Sequence, residues 1–151
     1  MSEQISTRVI DTTDAVYPQV YDMREEILRK PIGLSLTDED LSADAKDDII
    51  IAEQDGEVLG CIMLKKTDDS QAIKFRQMAV RQNLQRSGVG KIIMNAAEEH
   101  SWQTGYNRIT LHARTSAEDF YKKLGYITTS DVFTEVGIPH VVMEKQKPHG
   151  F

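Results

Sequence analysis

The chain has 151 residues, 40% of them hydrophobic and 28% charged, with a formal net charge of −6, so it can bury one core without staples. The single cysteine, Cys61, excludes an internal disulfide and suits a reducing compartment, and no apolar run approaches the roughly 20 residues of a membrane span. The polar start Met1-Ser2-Glu3-Gln4 carries no apolar signal segment and no dense basic stripe appears, so we expect one cytoplasmic domain over 1–151 that binds neither membrane nor nucleic acid.

Thr7 to Ile10 reads as a first strand, and Pro18 to Arg29 as a helix with Val16, Val20, Met23 and Ile27 on its apolar face. Pro18 suits the first helical position, and Pro31 with Gly33 stops the helix. Thr37 to Asp48 is acidic and polar and reads as a second short helix capped by Thr37. Ile49 to Gln54 and Glu57 to Lys66 are strands joined by Asp55-Gly56, a two-residue hairpin signal. After the turn Thr67-Asp68-Asp69-Ser70 comes a strand from Ala72 to Val80. Strict alternation there puts Ile73, Phe75, Gln77 and Ala79 on one face, and Lys74, Arg76, Met78 and Val80 on the other.

Gly88 to about Thr104 reads as a long helix, capped by Ser87 and closed by Gly105. Arg108 to Ala113 is a strand, and Ala117 to Leu124 a short helix ended by Gly125. Tyr126 to Phe133 and Ile138 to Glu144 are the last strands, joined through Val136-Gly137. This order of elements is a mixed α/β domain with a largely antiparallel sheet.

The loop Gln85-Arg86-Ser87-Gly88-Val89-Gly90 lies between a strand and the long helix. The first N–H groups of a helix lack internal partners and the helix dipole adds positive charge there. Gly88 and Gly90 let the backbone close on a ligand, and Arg86 and Lys91 add full charge. From the residues alone, this is either an anion site or a glycine-rich turn that only starts a helix. A Walker A loop fails because Gln85 and Ile92 stand where Gly and Ser/Thr are needed, which disfavours a nucleotide-dependent phosphotransferase. A dinucleotide fingerprint fails at Ile93, and an esterase elbow at Gln85.

Gln85-x-x-Gly88-x-Gly90, directly after Met78-Ala79-Val80, resembles the acyl-CoA loop of the GNAT superfamily of N-acetyltransferases. Ala117-Glu118-Asp119-Phe120-Tyr121-Lys122-Lys123-Leu124-Gly125-Tyr126 resembles that family's A-x-x-F-Y-x-K-x-G-F/Y segment. Arg24 to Leu34 (R-E-E-I-L-R-K-P-I-G-L) and Phe133 to His140 (F-T-E-V-G-I-P-H) resemble its small bacterial ElaA/YjcF-like branch. The resemblance implies an α/β (α+β) fold, a mostly antiparallel sheet of about seven strands flanked by about four helices. It implies acetyl-CoA as co-substrate, direct transfer to a primary amine, and pairing into homodimers as many relatives do. A non-catalytic acyl-CoA sensor on the same fold is the alternative.

Residue by residue, the resemblance gives Tyr121 the role of acid toward the departing thiolate. It gives the main chain of Met78, Ala79 and Val80 the pantetheine arm. The pyrophosphate falls to the Gln85 side chain and the N–H groups of Arg86, Ser87, Gly88, Val89, Gly90 and Lys91. Arg114 stands where relatives carry Asn or Gln, and has no assigned role. Glu135 and His140 are the acceptor-side candidates, one to bind or deprotonate an ammonium, the other with near-neutral intrinsic pKa; Glu53 is a third candidate base. Residues 1–70 carry 17 acidic against 7 basic side chains, and residues 71–151 carry 7 against 11, hinting at a cationic acceptor and an anionic donor. Cys61 has no activating neighbour and reads as a core residue. His100, His112, His140 and His149 lack metal-ligand spacing, so no metal is expected.

Overall fold

The computed structural model describes residues 4–149; Met1, Ser2 and Glu3, three of the four residues of the polar start, lie outside the described residues. Eight strands form one sheet: β1 (Ser6–Ile10), β2 (Asp48–Gln54), β3 (Glu57–Lys66), β4 (Ala72–Val80), β5 (Arg108–Arg114), β6 (Ile127–Thr128), β7 (Phe133–Glu135) and β8 (Ile138–Gln146). Three α-helices accompany them: α1 (Tyr17–Arg24), α2 (Val89–Gln103) and α3 (Glu118–Lys123). The sheet order is β1-β2-β3-β4-β5-β8-β6, with β7 also on β8, and only β4 and β5 run parallel. The mixed, mostly antiparallel class is therefore as expected, with one strand more and one α-helix fewer.

The sheet separates two apolar clusters. One packs α2 on Ile50, Ile62, Phe75, Leu111 and their neighbours; the other packs α1 on Ile49, Ile51, Cys61 and Met63. The β2–β3 turn has Asp55 and Gly56 both at positive φ, as a two-residue hairpin requires. Beyond α1 the chain continues through a π turn, Glu25–Arg29, and a 3₁₀ turn, Lys30–Ile32.

Four expectations are corrected. Thr37 to Asp48 does not form a helix but two 3₁₀ turns, Leu36–Asp38 and Ser42–Lys46, and Ser35 rather than Thr37 accepts the capping bond. The reason is the carboxylates: Asp44 and Asp47 are buried against Arg24 and Arg76, which takes the chain out of helical register. Ser87 does not cap α2; its hydroxyl bonds the Leu84 carbonyl, and Gly88 occupies the cap position. The strand Tyr126–Phe133 is broken into β6 and β7, because Thr129 and Ser130 bond the backbone of Val142 and leave the ladder between them.

The fourth correction bears on the site. Alternation in β4 breaks at Gln77, whose φ is 57°. Pairing with β3 slips there: Cys61 faces Ala79 but Met63 faces Arg76, so β4 carries one extra residue. Consequently Met78 and Val80 join Ile73 and Phe75 on the α2 side, while Ala79 turns to the α1 side.

Candidate functional site

β4 and β5 pair only from Ala72–Phe75 to Arg108–Leu111. Past that point no ladder joins them, while β5 stays paired to β8 as far as Arg114. Met78 to Val80 and His112 to Arg114 thus border a gap in the sheet, and side chains from both faces can reach it.

The predicted anion loop lies at the end of β4. A 3₁₀ turn, Gln82–Leu84, follows the strand, and Arg86 and Gly88 take positive φ of 69° and 96°, the backbone from which anion-cradling nests are made. The Ser87 N–H is used by the Leu84 carbonyl at 3.1 Å, whereas the N–H groups of Gly88, Val89, Gly90 and Lys91 have no acceptor among the described residues. These four unpaired donors at a helix start are what an anion requires. The Gln85 amide donates to the Val80 carbonyl at 3.3 Å and so braces the loop against its strand. Arg86 and Lys91 are exposed.

Gly90 is held by close approach. A Cβ there would lie 3.0 Å from Met78 Cε and 3.5 Å from Phe120 Cζ. Tyr121 stands edge-on to Phe120 with centroids 5.1 Å apart, and its hydroxyl reaches Met78 Sδ at 3.7 Å. The loop, the splayed strand and the Phe-Tyr segment therefore meet. Burial pushes the Tyr121 hydroxyl up to about 12, so it keeps its proton at any working pH. Tyr126 behind it is fixed by a 2.8 Å bond to Glu98, itself paired with Lys145 at 2.8 Å.

A second cluster lies on the opposite face. Glu135 on β7 accepts a hydrogen bond from His112 Nδ1 at 2.9 Å, and its other oxygen is 3.7 Å from His140 Nε2. Phe133 is edge-on to His112 and stacked on His140, with centroids 5.2 and 6.1 Å apart. Burial would raise the Glu135 carboxyl, but His112, His140 and Lys74 hold it below its ordinary value. Glu135 and His140, the two acceptor-side candidates, thus lie side by side, and His112, which shows only the lack of metal-ligand spacing in the sequence, joins them. Its signal was the alternation of β5, which puts it on the face opposite Ile109, Leu111 and Ala113. Arg114 is the cross-strand partner of His140. Glu53 lies apart, paired to Arg8 at 2.7 Å three strands from β5.

Cys61 is fully buried, donates to the Gln77 carbonyl at 3.8 Å, and is pushed by burial up to about 12, so it supplies no thiolate for a covalent step. A cavity of about 580 Å³ opens between α1 and the turn after β4, lined by Asp22, Met23, Glu26, Ile27, Arg81 and Asn83 among others. Among the described residues no group of three or more His, Cys, Asp or Glu side chains could hold a metal ion, and no helix is long and apolar enough to cross a membrane.

A family model described as an acetyltransferase (GNAT) domain matches residues 22–147. The uncharacterized N-acetyltransferase YjcF of Bacillus subtilis is 40% identical over 73 residues, 48% of this chain and 52% of that protein. The matched stretch spans about half the length of the first curated relatives. Among solved structures, Escherichia coli ElaA superposes with a TM-score of 0.83 at 19% identity, covering 95% of this chain and all of that one. A Bacillus subtilis acetyltransferase in complex with CoA superposes with a TM-score of 0.70 at 19% identity, covering 95% and 99%.

Proposed function

The chain belongs to the GNAT acetyltransferase family, and from that premise we propose that it moves an acetyl group from acetyl-CoA directly to a primary amine. The observation that carries this reading is the convergence at Gly90: unpaired helix-start N–H groups beside Met78 and Phe120, with the half-buried Tyr121 hydroxyl on Met78. The N–H groups of Gly88 to Lys91 would bind the pyrophosphate, with Arg86 and Lys91 adding charge. The main chain of Met78, Ala79 and Val80, free of β5, would pair with the pantetheine arm. The CoA complex of the Bacillus subtilis acetyltransferase, on the same fold, supports this assignment.

Tyr121 would donate a hydrogen bond, and then its proton, to the leaving sulfur. An exposed thiolate would be too weak a base for a tyrosine near 12, but burial raises thiols as well. A thiolate that loses water as the cofactor binds therefore comes closer to the tyrosine in basicity. On the acceptor side Glu135 and His140 would receive the ammonium, and the acidic first half of the chain favours a cationic molecule.

The test is acetyl-CoA cleavage by the pure protein against polyamines, amino sugars and amine-bearing peptides, following free thiol. Thiol release that depends on one of these amines, with acetylated amine as product, supports the reading. Tight acetyl-CoA binding with no turnover would favour a sensor instead, and absence of acetyl-CoA binding would refute the donor assignment.

A further inference from the structure

His140 is 5% exposed and stacked on Phe133. Its Nδ1 lies 2.7 Å from the Ile138 carbonyl. A carbonyl only accepts, so Nδ1 carries a proton and Nε2 is the ring nitrogen left to take up or release one. That nitrogen faces Glu135 Oε2 at 3.7 Å, too far for a hydrogen bond. Nε2 and a carboxylate oxygen therefore face each other across a gap that no hydrogen bond closes. The Glu135 wall of the gap is 43% exposed, so the gap is open from that side. A group with several N–H bonds, a cation above all, fits such a gap, because it donates to the carboxylate and, when Nε2 carries no proton, to the ring as well.

We propose that the acceptor's ammonium group lies between Glu135 Oε2 and His140 Nε2, that His140 is the general base, and that His112 is the positioning residue that fixes Glu135. This rests on the acyltransfer reading above. His112 Nδ1–H donates to Oε1 at 2.9 Å and orients the carboxylate so that Oε2 looks at His140. One N–H of the ammonium points at each wall. The proton passes from nitrogen to His140 Nε2, leaving a neutral amine and an imidazolium held by Glu135 and by the Ile138 carbonyl. The amine then forms the new C–N bond as the C–S bond breaks and the sulfur takes its proton from Tyr121; the nitrogen gives up its second proton, which returns through solvent to the tyrosinate, and the imidazolium releases its own to solvent. The charged groups that face His140 are Glu135 from β7 and Arg114, its partner across β5; His112 and Lys74 act on it through Glu135.

Asparagine separates the roles, because its amide nitrogen replaces Nδ1 and it has no counterpart of Nε2. His140→Asn keeps the donor to Ile138 and loses the base; His112→Asn keeps the donor to Glu135, and His112→Ala loses it. The assay is acetyl transfer to the best amine of the panel from pH 6 to 9, with acetyl-CoA affinity measured in parallel. His140→Asn should lower kcat about 100-fold, lose the rise of kcat/KM with pH, and regain part of its rate with added imidazole. His112→Ala should lower kcat/KM about 10-fold and shift the pH profile, and His112→Asn should restore both. All variants should bind acetyl-CoA within two-fold of the parent. Parent-like kcat and pH dependence in His140→Asn would overturn the proposal. So would normal acetyl-CoA binding by the parent with no panel amine acetylated. Failure of the parent to bind acetyl-CoA would instead overturn the donor reading, and this proposal with it.

Discussion

Gly88 and Gly105 flank α2 and make a matched pair. Both have positive φ, 96° and 104°, and a Cβ at either would meet nothing within 4 Å. Alanine at either site therefore brings backbone strain and no clash. Left-handed backbone costs an L-residue about 1–2 kcal/mol, offset in part by about 0.4–1 kcal/mol of lost chain entropy in the unfolded state. The net is about 1 kcal/mol, or about 2–4 °C in Tm for a chain of this size. Binding should separate the two. Relaxation of residue 88 out of the left-handed region turns the N–H groups of Gly88 and Val89 away from a bound phosphate. A hydrogen bond to a charged group is worth about 1.5–3 kcal/mol, so losing one weakens binding about 10- to 100-fold. Calorimetric titration with acetyl-CoA and thermal melts of Gly88→Ala and Gly105→Ala read both quantities. Equal Tm losses with affinity lost only in Gly88→Ala is the expected result. Unchanged affinity in Gly88→Ala, or equal affinity losses in both, would refute the loop as the anion site.

Tyr121→Phe should lower kcat by about 10²–10⁴-fold with acetyl-CoA affinity within two-fold, measured by thiol release; unchanged turnover would remove the acid role. Asp44→Ala leaves the fully buried Arg24 without its carboxylate, and urea unfolding should show a loss of about 3–5 kcal/mol; a loss below about 1 kcal/mol would mean that Arg24 is neutralised otherwise. Glu135 has a folded-state pKa below its ordinary 4.5, so its stabilisation is present above that pH and fades as pH falls through the lowered value. Glu135→Gln should accordingly destabilise at pH 7, by at most about 1 kcal/mol because the side chain is 43% exposed, and the difference should shrink as the pH falls below the lowered value; a pH-independent difference in melts would refute this.

What the sequence disclosed and what it hid follow one division. Local chemistry was legible: Asp55-Gly56 is a turn because both residues tolerate positive φ, and the glycines of the loop announce a backbone that must approach something. Pairings between distant residues were not. Asp44 and Asp47 read as charges on a polar helix, yet they are buried against Arg24 and Arg76, which lie 20 and 32 residues from Asp44. Gln77 breaks the alternation of β4 although nothing about glutamine marks a bulge; the slip shows only in the pairing with β3. His112 showed no role in sequence because its carboxylate, 23 residues on, arrives by way of β7 and β8. The donor side is built mostly from contiguous segments and was readable, whereas the acceptor side is assembled by the sheet.

The central claim is that the backbone from Gly88 to Lys91 holds the anion of the donor. Backbone amide NMR during titration with acetyl-CoA measures it directly. The account predicts that the amides of Gly88, Val89, Gly90 and Lys91 move most and saturate together, while those of Asp22 and Glu26 beside the α1 cavity stay within the background. Saturating shifts at the α1 cavity with the loop amides unmoved would contradict it.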